Sequence, residues 1–90
     1  MSYKIKKYKE INPFSINEKT KPTFENETAK WYLVCNGFDR FSGWRAINKE
    51  TGMSDYIVLR NKDSAVMWTG LKLEDMAWQL TAFETATRRD

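Results

Sequence analysis

The alternation of apolar and polar residues between positions 30 and 69 predicts a series of short β-strands. Each of these stretches is rich in aromatic and β-branched residues, which favour strands, and each is bounded by residues that favour turns. The turn signals are Asn36-Gly37, Ser42-Gly43, Lys49–Gly52 and Asn61–Ser64. Turns at such short and regular intervals are typical of an antiparallel meander. We predict four strands, at residues 30–35, 44–48, 55–60 and 65–69.

The C-terminal stretch changes to the period of an amphipathic helix. Apolar positions recur there at spacings of three and four residues. The positions on this stripe are Leu73, Met76, Ala77, Leu80, Phe83 or Glu84, and Thr87. Glu74 and Asp75 lie in the first turn and Arg88 and Arg89 in the last, which complements the helix dipole. The predicted fold is α+β: a four-stranded antiparallel β-meander, one C-terminal amphipathic helix that covers one face of the sheet, and a basic N-terminal arm.

The first part of the chain follows neither period. Residues 1–12 fit a strand and a helix equally poorly, and residues 12–29 contain both prolines, Pro13 and Pro22. Proline fixes φ and cannot donate to a strand ladder, so this segment is predicted to be a connection laid over the domain. Within a single domain, we therefore predict a basic arm with a Pro-containing irregular segment at residues 1–29. The meander and helix occupy residues 30–90.

The composition argues against several classes of function. The chain of 90 residues has no His and one Cys, so it lacks the commonest general base and cannot form an internal disulfide. It contains no Gly-rich phosphate loop, no nucleophile motif and no apolar run of the roughly 18 residues that a membrane helix needs. We expect a non-enzymatic, cytoplasmic protein without cofactor, metal or membrane contact. Cys35 is interpreted as a small buried residue on the strand face of Trp31 and Leu33.

Positive charge is concentrated at the N-terminus. The net charge is +3, and residues 1–22 hold six lysines against two glutamates, whereas residues 23–90 hold nine basic and ten acidic residues. Lysines neutralise phosphates and tyrosines stack on bases, a combination suited to single-stranded DNA or RNA. Our first hypothesis is therefore nucleic-acid binding. The predicted contact residues are Tyr3, Lys4, Lys6, Lys7, Tyr8, Lys9, Arg40 and Arg45.

The predicted sheet offers a second part of that surface. The chain has four Trp, four Tyr and five Phe, and successive strand residues point to opposite faces. If the helix covers one face, rings and arginines on the other face would form an aromatic, basic platform for bases. In the alternative interpretation, the basic run is a solvated tail and residues 12–29 pack over these rings.

The segment Thr69–Trp78, TGLKLEDMAW, and the order of four strands and a helix are together similar to the end of the positive cofactor 4-like transcriptional coactivator domains. In that family a Gly-apolar-x-Leu stretch leads into a helix with an acidic first turn and a Trp. The resemblance implies a homodimer that binds single-stranded DNA across its sheets. The chain departs from the family's pattern in the Pro-containing segment 12–29 and in its nearly neutral body.

Protein binding is the second hypothesis. Trp78 lies about 140° from Leu73 on a helix with 100° per residue, which takes its ring off the apolar stripe. A large ring in that position suggests a partner surface or a homodimer contact, unless the N-terminal arm covers it. Phe38 and Phe41, in the loop GFDRFSGWR, are predicted to join this interface. Small aromatic-rich domains of this kind are also typical of phage or mobile-element proteins that bind and block a host protein complex.

Overall fold

The computed structural model describes residues 8–36 and 40–88, and these residues form one five-stranded antiparallel sheet followed by one helix. The elements are a one-turn 3₁₀-helix (Pro13–Ser15), β1 (Phe24–Glu25), β2 (Ala29–Cys35), β3 (Phe41–Asn48), β4 (Ser54–Arg60), β5 (Ala65–Gly70) and α1 (Leu73–Arg88). The strands lie in the sheet in chain order, so each is paired with its neighbour in sequence. The predicted α+β class, with an antiparallel sheet and a C-terminal helix, is confirmed.

The described residues contain one strand more than predicted, because β1 lies in the segment expected to be irregular. β1 has two residues, both exposed, and is too short to show an alternating pattern. Its residues Phe24 and Glu25 pair with Trp31 and Lys30 of β2. Glu25 Oε2 also lies 2.6 Å from Lys49 Nζ, and the hydrogen bond from this ammonium lowers the pKa of Glu25.

β3 begins at Phe41 rather than at Trp44, and the predicted turn at Ser42-Gly43 is wrong. Gly43 lies inside the strand, where it pairs with Val58 of β4. A Cβ atom on Gly43 would lie 2.7 Å from Met76 Cε. The end of the Met76 side chain therefore fills the space that a Cβ atom on Gly43 would occupy, and glycine within a strand often marks such a close approach.

The sheet has a buried cluster on each face, and α1 covers one of them. α1 packs against β3, β4 and β5. The cluster beneath it consists of Phe41, Tyr56, Val58, Met76 and Leu80. The cluster on the opposite face consists of Leu33, Trp44, Ala46 and Ile57. Between Leu33 and Cys35 the pairing register shifts, and this bulge moves Cys35 to the helix side, so its predicted place beside Leu33 is wrong.

Residues 8–23 are fixed to β2 by hydrogen bonds. The backbone N–H of Ile11 donates to the Leu33 carbonyl at 2.8 Å, and that of Thr23 donates to the Trp31 carbonyl at 2.9 Å. The Thr23 hydroxyl oxygen in turn accepts the Leu33 N–H at 3.1 Å. These bonds satisfy backbone groups of β2 that its short partner β1 does not reach. The Pro-containing connection is therefore an ordered layer along the edge of the sheet.

Met76 and Met53 offer a matched test of this core. Met76 is 1% exposed, whereas Met53 is 71% exposed. Met76→Ala removes buried methylene groups and leaves a cavity between α1 and β3, so it should lower the free energy of unfolding by about 2–5 kcal/mol. Met53→Ala should change it by less than about 0.5 kcal/mol. Urea unfolding followed by circular dichroism measures both, and equal losses would contradict the assigned core.

Candidate functional site

α1 has a buried inner face and an exposed outer face, with a tryptophan near the centre of the outer face. Met76, Leu80 and Glu84 on the inner face are 1%, 1% and 3% exposed. Trp78 is 77% exposed, because on a helix with 100° per residue it lies about 160° around the axis from Leu80. Trp78 is thus off the buried stripe, as its spacing predicts. Its role as an interface residue stays a prediction.

Trp78 forms one wall of a shallow groove on the outer face of α1. The groove has a volume of about 360 Å³, and its other lining residues are small: Thr81, Ala82, Thr85 and Ala86. Residues at these spacings lie on the same side of a helix. The Thr81 hydroxyl donates to the Ala77 carbonyl at 3.0 Å, so it is already hydrogen-bonded within the helix. The groove is therefore a mostly apolar surface between a large ring and a row of small side chains.

Over residues 77–86, the outer face of α1 carries no charged residue. Between positions 77 and 86 the only charged residue is Glu84, which is 3% exposed and belongs to the inner face. Glu74 and Asp75 supply the acidic first turn. A helix face that remains in water is normally rich in charged residues. The described part of this face therefore differs in composition from an ordinary solvated helix face.

Of the residues predicted to make contacts in the loop before Trp44, Phe41 is buried in the core and Arg40 is exposed. Phe41 is 3% exposed, and its ring centroid lies 5.4 Å from that of Phe83, so it packs beneath α1 and its buried ring does not line an exposed interface. Arg40 is exposed, and its backbone N–H donates to Glu84 Oε2 at 3.3 Å. This bond gives the buried Glu84 carboxylate a donor. Phe38 lies outside the described residues.

Arg45 joins the N-terminal segment to the sheet. Its Nη1 donates to the Pro13 carbonyl at 2.6 Å and its Nη2 donates to Ser54 Oγ at 3.2 Å. The guanidinium carbon lies 6.0 Å from the centroid of the Tyr56 ring, at the limit of a cation–π contact. Arg45 therefore holds the buried Pro13 against the sheet. Its predicted contact with phosphate stays a prediction.

Arg60 lies on the same side of the sheet as Arg45 and is paired within its own turn. Its Nε donates to Asp63 Oδ1 at 2.9 Å and its Nη2 donates to Asp63 Oδ2 at 2.7 Å. These charge-assisted bonds favour the ionised carboxyl and lower the pKa of Asp63 to about 2.

The tryptophans of the helix-free face pack against each other. Trp31 and Trp44 meet edge to face with centroids 6.3 Å apart, and Trp44 is 5% exposed. Trp44 Nε1 donates to Ser42 Oγ at 2.8 Å, and that hydroxyl donates to Asn61 Oδ1 at 2.7 Å. Neighbouring strand residues such as Trp44 and Arg45 lie on opposite faces. The rings of this face and the arginines therefore do not meet in one platform.

The structure describes two residues of the predicted basic arm, Tyr8 and Lys9. Both are exposed, Tyr8 by 48%. The Tyr8 carbonyl accepts a hydrogen bond from Asn36 Nδ2 at 2.8 Å, which fixes the start of the described chain beside the end of β2. The remaining predicted contacts of the arm lie outside the described residues; they are Tyr3, Lys4, Lys6 and Lys7.

The sequence-based prediction missed the small residues of the groove. They are Thr81, Ala82, Thr85 and Ala86. A signal for them was present, because all four are small and uncharged and stand three, four, seven and eight positions after Trp78. These are the spacings that share a helix face with the tryptophan.

Comparisons with protein-family models, with characterised proteins and with solved structures gave no match to the chain. The resemblance to positive cofactor 4-like domains therefore rests on the segment TGLKLEDMAW and on element order. Among residues 8–36 and 40–88, no helix is long and apolar enough to cross a membrane. Within the same residues, no three His, Cys, Asp or Glu side chains are grouped so that they could hold a metal ion.

The pairing of Arg60 with Asp63 predicts an acid titration that one substitution should shift. In the folded chain Asp63 should titrate at about 2, and Arg60→Gln should raise its pKa towards the ordinary 3.8. Since folding lowers this pKa, the pair stabilises the fold above the ordinary value and loses that contribution as pH falls through about 2. Carboxyl chemical shifts measure the titration by NMR. Lys62→Gln also removes one positive charge near Asp63 but keeps the hydrogen bonds from Arg60. An equal rise in the pKa of Asp63 in that control would refute the hydrogen bonds as the main cause.

Proposed function

We propose that the protein is a non-enzymatic binding module that contacts another protein through the outer face of α1. The observation that carries the proposal is the position of Trp78, which is 77% exposed on a helix face without charge between positions 77 and 86.

The energetics of binding favour Trp78 as the anchor of such a contact. A buried aromatic side chain removes about 150–250 Å² from water, and most of that area is still available on Trp78. Tryptophan is among the residues that most often dominate the affinity of an interface. Its burial against a partner would therefore contribute more than that of any other residue lining the groove.

The small residues beside Trp78 suit the approach of a partner helix or loop. Ala82 and Ala86 extend little from the helix surface, so a partner backbone or ring can come close to α1. Alanine and threonine also lose little side-chain entropy when they are immobilised, compared with lysine or glutamate. The acidic first turn, Glu74 and Asp75, would lie at the solvated rim.

Nucleic-acid binding remains a second candidate, supported by the charge of the N-terminal segment. Residues 1–22 hold six lysines against two glutamates. Tyr8 and Lys9 are exposed, so a ring and an ammonium group are available for a base and a phosphate. Arg45 contributes less to this candidate, because its guanidinium already binds the Pro13 carbonyl and Ser54.

Two lysine substitutions on α1 test the proposed protein contact. Ala82 lines the groove, whereas Ala77 is exposed outside it. Alanine and lysine have similar helix propensities, so Ala82→Lys and Ala77→Lys should fold equally well. After nuclease treatment, proteins that co-purify with the tagged chain from its native host should be lost with Ala82→Lys and Trp78→Ala but kept with Ala77→Lys. An identical set of bound proteins for all these variants would refute the proposal.

The salt dependence of oligonucleotide binding tests the second candidate. If the arm contacts phosphates, binding of a single-stranded oligonucleotide should weaken steeply with salt. Replacing Lys4, Lys6, Lys7 and Lys9 with Gln should reduce the slope of log K against log salt by up to about 0.7 for each lysine. Fluorescence anisotropy measures the affinity of the unmodified chain and of the variant at each salt concentration. The exposed lysines 62 and 72 provide the control, because replacing both with Gln should leave the slope unchanged. If replacing the arm lysines also leaves the slope unchanged, a role for the arm is refuted.

A further inference from the structure

We infer that β5 pairs along its free edge with β5 of a second copy of this chain, in antiparallel orientation, so that two five-stranded sheets join into one continuous sheet. The inference concerns a different surface from the outer face of α1 and goes beyond the proposed function.

The two edges of the sheet differ in what covers them. At one edge, residues 8–23 hydrogen-bond to the backbone of β2, and β1 is two residues long. At the other edge, β5 is the last strand of the sheet, and within residues 8–36 and 40–88 its only strand partner is β4. Edge strands are commonly protected by charged residues or proline, and β5 contains neither. This edge is therefore open to another strand.

The strand pairing shows which backbone groups of β4 bond to β5. The Asn61 N–H donates to the Arg40 carbonyl at 2.8 Å, which extends the pairing of Phe41 with Arg60 by one residue. Backbone hydrogen bonds alternate between the two sides of a strand. The odd-numbered residues of β4 therefore bond to β3, and the even-numbered residues bond to β5.

Two residues of β5 consequently direct their backbone N–H and C=O groups away from β4. Trp68 and Gly70 are the partners of even-numbered β4 residues, so their backbone groups are used within the sheet. Val66 and Thr69 are the partners of odd-numbered residues, so their N–H and C=O groups point to the open edge. Both residues are exposed, Val66 by 55%. The edge thus offers two donors and two acceptors to a partner backbone.

A β-bulge makes this edge complementary to its own copy. The pairing register shifts between Val58 and Leu59 of β4, where Met67 is the extra residue of β5. The bulge separates Val66 and Thr69 by three positions instead of the usual two. A regular strand cannot meet both residues in register, whereas an antiparallel second copy repeats the same spacing. Val66 of each copy then pairs with Thr69 of the other around a twofold axis, as in isologous dimers.

The charges at the two ends of β5 favour the same arrangement. The end before β5 has two basic residues and one acidic residue, and the end after it has one basic residue and two acidic residues; none of them is buried. They are Arg60, Lys62 and Asp63 at the first end and Lys72, Glu74 and Asp75 at the second. Pairing position 66 with position 69 also brings position 63 opposite position 72. Each net positive end thus lies beside the net negative end of the other copy, whereas a parallel pair would bring like charges together.

The small contact predicts a weak dimer. β5 has six residues and spans about 20 Å at 3.3–3.4 Å per residue. A contact along such an edge lies below the roughly 1,200 Å² of standard specific interfaces. Self-association should therefore have a dissociation constant of about 100 µM.

Exchange of backbone amide protons with water, measured by NMR, tests the pairing on the unmodified chain. With that dissociation constant, mass action lowers the monomer fraction about fourfold between about 20 µM and about 1 mM protein. The Val66 and Thr69 amides should therefore exchange about three- to fourfold more slowly at the higher concentration. Glu27, which is exposed between β1 and β2 at the opposite edge, is the control, and the exchange of its amide should not depend on concentration.

Proline at position 69 removes one outward N–H and leaves the hydrogen bonds to β4 in place. Proline is tolerated on an edge strand where the missing donor faces solvent, so Thr69→Pro should fold. In sedimentation equilibrium it should associate at least about tenfold more weakly, because each dimer loses two hydrogen bonds. Thr69→Val keeps the backbone donor and should associate as the unmodified chain does. Equal association of these two variants, both folded by circular dichroism, would contradict the pairing.

A charge exchange tests the antiparallel orientation. Lys62→Glu makes the end before β5 net negative, and Glu74→Lys makes the end after it net positive. Each change alone should weaken the dimer at low ionic strength, because like charges then meet at both ends of the contact. The double variant restores opposite signs and should associate to within about threefold of the unmodified chain. Such a rescue separates a contact between copies from an effect of either residue on the fold.

Two results would overturn the inference: an unmodified chain that stays monomeric up to about 1 mM, or Val66 and Thr69 amides whose exchange does not depend on concentration. Ala82→Lys should leave the dimer intact, because Ala82 lies on the outer face of α1. Self-association and the proposed protein contact can therefore fail separately, the first in the unmodified chain and the second in Ala82→Lys.

Discussion

The burial of Met76 against Gly43 joins the inner face of α1 to the sheet. Because Gly43 has no Cβ atom, the end of the Met76 side chain can occupy the space that such an atom would fill. Once Met76 is fixed there, the helical period places Leu80 and Glu84 against the sheet as well. The same period points Trp78 into solvent. The outer face is thus a direct consequence of how the core is packed, and burial within the monomer does not explain its lack of charge.

The elements with strong local patterns could be predicted from the sequence, while those defined by distant contacts could not. The strand predicted at residues 55–60 is found at Ser54–Arg60, and α1 begins at Leu73, where the apolar stripe starts. The sequence predicts a turn at Gly43, because glycine has the same sequence signature in a turn and beneath a helix. Only the position of Met76 distinguishes these uses. β1 could not be predicted from the sequence, because its two residues are both exposed and show no alternation of apolar and polar positions.

Part of the candidate site could likewise be predicted from the sequence. The outward direction of Trp78 follows from its angle on the helix alone. The sequence near Phe41 does not show whether its ring is exposed or buried. A ring in a loop and a ring at the start of a buried strand can have the same neighbours in sequence. The sequence suggests that Arg45 is available to bind a phosphate. In the structure its guanidinium donates to the carbonyl of Pro13, which lies 32 residues away in the chain. Such a partner depends on the packing of the irregular segment, for which sequence periodicity has no signal.

The two candidate surfaces belong to different elements, so they are compatible with one another. Residues 8–23 are hydrogen-bonded to β2, whereas α1 packs on β3, β4 and β5 with its outer face in solvent. A protein bound to the outer face of α1 would leave residues 8–23 outside the contact. In that arrangement the helix would supply the contact with a protein and the N-terminal segment would supply the positive charge.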